Sequence, residues 1–229
     1  TAEVYDPQTD GWQPLAKMTT ARSDFGLAAV DGKIYAIGGS GGATTLESVE
    51  AYDPQLGAWA PAASMSGKRG YHASVVLDGK IYSMGGLNGE VALDGSMVTL
   101  DTVEVYDPQA DSWQQAASMP RDVLNHAAVA MGGKIYVTGG DDQMSTDDLA
   151  RSVYVYDPQV DVWTHLASMN TARRLHASAA IGGKLYVFGG FSDQREDLGT
   201  AEVYDPATDC WAQASSLTSV RKGLVAVAL

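Results

Sequence analysis

Three histidines, His72, His126 and His176, recur at matching places along the chain, and a ring of imidazoles is one way to hold a metal ion. Ligation requires each nitrogen to stand about 2 Å from the ion. Residues that recur because a structural unit is duplicated sit on separate units, too far apart for that, so duplication is the reading taken. Asp141-Asp142 and Asp147-Asp148 offer carboxylate oxygens of the kind calcium takes, but without the spacing and glycine of a calcium loop. They read as solvated loop charge. Cys210 is the sole cysteine and has no cation beside it in sequence, so its thiol reads as inert. The chain has no paired nucleophile and base, no phosphate-binding loop and no metal-ligand spacing. That predicts no catalytic residue, no metal and no cofactor.

The bulk numbers narrow the partner class. The chain has 229 residues and a formal charge of −13, which disfavours nucleic acid because phosphates repel an acidic surface. It contains no apolar run of the ~18 residues that a membrane span needs. A lone cysteine and the lack of an Asn-x-Ser/Thr acceptor lean towards a reducing, cytoplasmic setting. Glycine is abundant, at 25 residues, as expected of many turns.

The elements that position these residues follow from an internal repeat. Tyr-Asp-Pro begins at Tyr5, Tyr52, Tyr106, Tyr156 and Tyr204, and a tryptophan follows each tyrosine at an offset of 7. From Trp12, Trp59, Trp113 and Trp163 to the next Gly-Gly the distance is 26 every time. From the second glycine to the next tyrosine the offsets are 13, 20, 16 and 14, so one segment alone varies in length. Each unit reads as four short strands, a to d. Asp31-Gly32, Asp78-Gly79, Gly132-Gly133 and Gly182-Gly183 suit the type I′ hairpin between strands a and b. The Asp-Pro pairs suit a type I turn between c and d. Units of this size cannot bury their own faces and must stack on their neighbours. The recurrent tryptophans and tyrosines are the packing between them.

The Gly-Gly, the Lys-Ile/Leu-Tyr strand and the Tyr-Asp-Pro with its following tryptophan resemble the kelch repeat. The resemblance covers the whole chain and implies an all-β propeller of four-stranded antiparallel blades, one domain over 1–229. Its units run over 1–18, 19–65, 66–119, 120–169, 170–217 and 218–229. The first supplies strands c and d, and Arg221 to Leu229 supplies strand a. This is either a five-bladed ring whose closing blade lacks strand b, or a fragment of a six-bladed one. The missing strand leaves unpaired edges that invite self-association.

Strands that run up and down place the b–c and d–a loops on one face, and this face holds the variation in length and sequence. Variable loops on a fixed scaffold make a binding surface. Its d–a loops carry Arg22, Lys68, Arg69, Arg121, Arg173, Arg174, Arg221 and Lys222, which are 8 of the 15 basic residues. Its b–c loops are acidic. Strand a is innermost in kelch propellers, so the resemblance implies a basic centre suited to a partner's carboxylates. The competing reading is that the first arginine of each unit pairs with an acid and holds adjacent blades together. In kelch adaptors the partner is gripped by residues after that arginine and after the Gly-Gly. By position these are Ser23, Asp24, Gly70, Tyr71, Asn125, Arg174 and Lys222, then Ser40, Leu87, Asp141 and Phe191. The resemblance implies a protein or peptide partner and substrate recognition for a cullin-type ubiquitin ligase adaptor, the alternatives being a cytoskeletal scaffold or a carbohydrate-modifying enzyme.

Overall fold

The structure, a computed structural model, describes residues 2–142, 149–194 and 196–228. It opens with a hairpin of β1 (Ala2–Asp6) and β2 (Gly11–Leu15). The first blade is β3 (Gly26–Val30), β4 (Lys33–Ile37), β5 (Val49–Asp53) and β6 (Ala58–Ala62). The second is β7 (Ala73–Leu77), β8 (Lys80–Met84), β11 (Val103–Asp107) and β12 (Ser112–Ala116). Between β8 and β11 it carries an extra hairpin of β9 (Leu87–Val91) and β10 (Met97–Thr99). The third is β13 (Ala127–Met131), β14 (Lys134–Thr138), β15 (Val153–Asp157) and β16 (Val162–His165). The fourth is β17 (Ala177–Ile181), β18 (Lys184–Phe188), β19 (Ala201–Asp205) and β20 (Cys210–Ala214). All four are antiparallel sheets in the order a, b, c, d. No helix among the described residues is long and apolar enough to cross a membrane.

Local chemistry accounts for each blade. The paired turn residues Asp31-Gly32, Asp78-Gly79, Gly132-Gly133 and Gly182-Gly183 all have positive φ, between 50° and 74°, as a type I′ turn demands. The offset of 7 between tyrosine and tryptophan is a hairpin register. Tyr106 stands opposite Trp113 on the neighbouring strand, with ring centroids 5.1 Å apart, and Tyr52–Trp59, Tyr156–Trp163 and Tyr204–Trp211 repeat the pair.

Blades are joined by the same aromatic residues. Tyr35 of the first blade packs on Tyr106 of the second at 5.4 Å, and Tyr82–Tyr156 and Tyr136–Tyr204 continue the series. The Trp113 indole N–H donates to Ala63 O in the preceding blade at 2.8 Å, while Asp111 accepts the N–H of the same alanine at 2.8 Å. Asp111 also accepts the Tyr106 hydroxyl, and burial together with that carboxylate pushes the phenol pKa up. Trp163 with Asp161 and Trp211 with Asp209 clamp Ala117 and Ala167 identically. Gly57 occupies the aspartate position in the first blade, so Trp59 supplies the indole arm there, to Ala16 O.

The first arginines of the units are buried, but they act within a blade and not between blades. Arg69 donates to Gly85 O, Thr102 O, Thr102 Oγ1 and Glu104 Oε1, and Arg173 repeats the set with Gly189, Thr200 and Glu202. Arg22 does the same with Gly38, Ser48 and Glu50. Burial would raise the Glu50 carboxyl, but the Thr19 hydroxyl, the Arg22 guanidinium and two backbone N–H groups hold its pKa at about 2. The third blade has lost both partners together. Val123 stands four residues after Met119, where the other units have arginine, and Tyr154 takes the glutamate's place in the c strand. Arg121, two residues earlier, meets Asp142 at 3.7 Å instead.

The Gly-Gly pairs make room for the next blade. A Cβ at Gly85 would lie 2.6 Å from His126 Cε1, and one at Gly139 would lie 2.8 Å from His176 Cε1. The three histidines are therefore wedged at blade joints. His176 Nε2 meets Thr138 Oγ1 at 2.8 Å, while both nitrogens of His72 and of His126 are buried without a partner among the described residues. Those residues contain no group of three or more His, Cys, Asp or Glu able to hold a metal ion, and Asp147 and Asp148 lie outside them.

Residues 224–228 form no strand, in contrast to the expected strand a. A strand exists through its pairing, and no strand among the described residues pairs with this segment. At the other end β1 pairs with β2 alone among the described residues, so its outer edge is unpaired.

Two predictions follow from these joints. Breaking one buried ion pair with Glu202→Ala should cost roughly 3–5 kcal/mol in urea unfolding, because it strands the Arg173 charge. Arg173→Val with Glu202→Tyr, the third blade's own solution, should cost far less; equal losses would refute the ion-pair account. The second concerns pH. Burial, then the nearby Arg69, holds His126 at about 4, and burial, then Arg173, holds His176 at about 3. Both lie below the unfolded value of about 6.5, so the unfolded chain binds the extra protons and stability falls as pH drops from 6.5. Between pH 6.5 and 5 the urea midpoint should fall, and His126→Leu should flatten the slope. An unchanged slope in that variant would count against it.

Candidate binding face

The two groups of residues singled out by position meet in pairs. The residue after the arginine and the residue after the Gly-Gly extend strands a and b by one more rung. Ser23 and Ser40 exchange backbone bonds at 2.9 and 2.7 Å, and Gly70 and Leu87 do so at 2.9 Å in both directions. Arg174 and Phe191 repeat this at 3.1 and 2.8 Å. In the third blade the rung joins Leu124, one residue before Asn125, with Asp141. Leu124 was therefore missed. Counting five residues from Met119 would have found it.

One residue further on, Asp24, Tyr71, Asn125 and Leu175 all adopt left-handed backbone, with φ between 52° and 56°, and Gly223 follows at 63°. Their backbones form a staircase about the axis. Tyr71 N–H donates to Asp24 O, Asn125 to Tyr71, Leu175 to Asn125 and Gly223 to Leu175, at 2.8–3.1 Å. Leu175 and Gly223 were also missed, since position after arginine gave Arg174 and Lys222 in their units.

Exposure sorts the candidates. Gly70, Leu87 and Asp141 are buried and contribute backbone or, for Asp141, a carboxylate beneath the surface. Ser23, Asp24 and Lys222 are exposed, as is Tyr71 at 38%, while Ser40 and Asn125 are half-buried. Burial and the neighbouring Asp24 carboxylate push the Tyr71 phenol up, so it remains a neutral hydroxyl.

The richest cluster spans the third and fourth blades. Asp141 Oδ2 accepts from Arg174 Nη1 at 2.7 Å, and its Oδ1 receives the Asn125 amide at 3.5 Å. The Arg174 guanidinium lies 5.0 Å from the Phe191 ring centroid, and the Lys222 ammonium lies 4.5 Å from it. Lys222 also pairs with Asp197 at 3.0 Å. Both cations thus hold an aromatic ring in place, and each already has a carboxylate.

The expected basic centre is not present in that form. Arg22, Arg69 and Arg173 are turned into buried ion pairs because each satisfies backbone carbonyls that the b–c crossover leaves open. The axis is lined instead by the staircase residues and, one step below, by Phe25, His72, His126, His176 and Leu224, around a cavity of about 310 Å³. Cys210 lies exposed on the outer strand of the fourth blade, its Sγ–H directed at Thr208 O.

Comparison with known proteins matches this architecture. The family model described as "Kelch motif" matches residues 21–66, 68–120, 123–170 and 172–218. Human "Kelch-like protein 33" is 33% identical over 136 residues, 59% of this chain and 15% of that protein. The mouse "Influenza virus NS1A-binding protein homolog" is 50% identical over 42 residues, 18% of this chain and 6% of that protein. The chain thus spans a small part of the length of these relatives. A solved structure, "Structure of YjhT", superposes with a TM-score of 0.75 at 19% identity, covering 91% of this chain and 69% of that one. Repeat, register and blade architecture agree with the family match: the chain belongs to the kelch-motif family.

Proposed function

We propose that the chain is a protein-interaction module that takes a protein or peptide on its b–c and d–a face, centred on Tyr71, Asn125, Asp141, Arg174, Phe191 and Lys222. One observation carries this reading. Reciprocal backbone rungs set the two variable loop groups side by side and leave Tyr71 and the cation-flanked Phe191 as anchors above a fixed scaffold. Aromatic residues and arginine dominate binding hot spots. A relative named for binding an influenza virus protein supports a binding role. Membership alongside the Kelch-like proteins supports the finer proposal, substrate recognition for a cytoplasmic cullin-type ubiquitin ligase adaptor. An acidic partner would have to compete with Asp141 and Asp197 for Arg174 and Lys222.

The carbohydrate-modifying alternative has one observation in its favour. The axial cavity of about 310 Å³ brings Asp24, Tyr71, His72, Asn125, His126 and His176 together, a mixed set of hydrogen-bonding and titratable groups. Turnover of free sugars by the purified chain would favour this second reading.

Capture of partners on immobilised wild type and on Tyr71→Ala/Arg174→Gln/Phe191→Ala tests the first reading. Glutamine is chosen because a glutamate at 174 would face Asp141. A partner held by the wild type should bind the variant at least ~30-fold more weakly, with the urea midpoint little changed. Identical capture by both would remove this face as a protein site.

A further inference from the structure

A second cavity, away from the axis, lies beside the buried Arg69–Glu104 pair. Its origin is one missing hydrogen bond. In the first blade Glu50 accepts the N–H groups of Thr19 and Thr20 at 2.7 and 3.0 Å. In the fourth, Glu202 accepts those of Asn170 and Thr171 at 2.8 and 3.0 Å. In the second, Glu104 accepts Ser66 N–H at 2.8 Å, and the following residue, Gly67, makes no such bond among the described residues. Glu104 is 1% exposed and therefore carries a free acceptor site that its counterparts fill.

At this point a cavity of about 420 Å³ opens, within the size range of small-molecule sites. Asn88 and Glu90 of the extra hairpin, Gly67 and Lys68 of the crossover, and Glu47 of the first blade wall it. Glu47 and Glu90 have no cation within salt-bridge distance among the described residues. Arg69 commits its two terminal nitrogens to Gly85 O, Thr102 O, Thr102 Oγ1 and Glu104, its Nε standing buried without a partner among the described residues. Lys68 on the same wall has no carboxylate within salt-bridge distance among them. Three carboxylates face one cavity. An alkylammonium group, with three N–H donors and no acceptor, matches them.

We propose that this cavity binds a primary ammonium group, with Glu104 at its floor and Glu47 and Glu90 at its rim. The group is either a lysine side chain of a partner or a free diamine. The site owes nothing to the axial face and stands or falls independently of it.

The test is amide NMR of the whole chain during titration with three probes. These are 1,4-diaminobutane, N-acetyl-lysine methylamide and, as the uncharged control, N-acetyl-norleucine methylamide. Both amines should give saturable shifts at the Gly67 N–H and the Asn88 and Gln115 side-chain amides, and the control should give none. Glu47→Gln with Glu90→Gln, both at exposed positions, should weaken binding by about tenfold. Lys68→Met should tighten it, because it removes a like charge. The ranking of the two amines then tells a free diamine from a partner's lysine. Absence of saturable shifts, equal shifts with norleucine, or weaker binding in Lys68→Met would each overturn the proposal.

Discussion

The second glycine of each Gly-Gly donates its N–H to a carbonyl in the segment leading into the next blade. Gly39 reaches Arg69 O, Gly86 reaches Val123 O, Gly140 reaches Arg173 O and Gly190 reaches Arg221 O, at 2.7–2.9 Å. This contact needs two backbones to touch, and the first glycine of the pair permits it, since a Cβ at Gly38 would collide with Arg69 O, the carbonyl that Gly39 reaches. Everything above it follows. The contact fixes where strand b ends, and so where the rung to strand a forms. It also brings the neighbouring blade close enough for its histidine and its staircase residue to seat.

Much of this was legible in the sequence because it is local and repeated. The offset of 7 is a hairpin register, the turn pairs are steric demands, and the invariant distance of 26 measures a scaffold without insertions. What escaped was pairing at a distance. Arg22, Arg69 and Arg173 were visible, but their partners lie 28, 35 and 29 residues on, across a segment of variable length. A signal did exist. The one complete unit without arginine four residues after its methionine is also the one with Tyr154 in place of glutamate. The two positions change together because half a buried ion pair is costlier than none.

The candidate face was legible in outline and not in detail. Position placed Ser23, Gly70 and Arg174 in one group and Ser40, Leu87 and Phe191 in another, and backbone rungs join them. Side-chain direction was not encoded locally. Leu87, the first residue of its blade's extra hairpin, is buried, while Phe191 stays partly exposed under Arg174 and Lys222. The three buried arginines are matched one to one by Glu50, Glu104 and Glu202, so these pairs cancel and the −13 overall is carried by the remaining groups.

The backbone staircase separates conformation from chemistry. Asp24, Tyr71, Asn125 and Leu175 share one φ and one bonding pattern while bearing four unlike side chains. Such a scaffold lends itself to engineering, since these positions can be randomised as a set without asking the fold to change. The genetic alphabet is restricted only by the left-handed backbone. Asparagine, aspartate and glycine enter easily, whereas valine, isoleucine and threonine would be purged from any library for their branched Cβ.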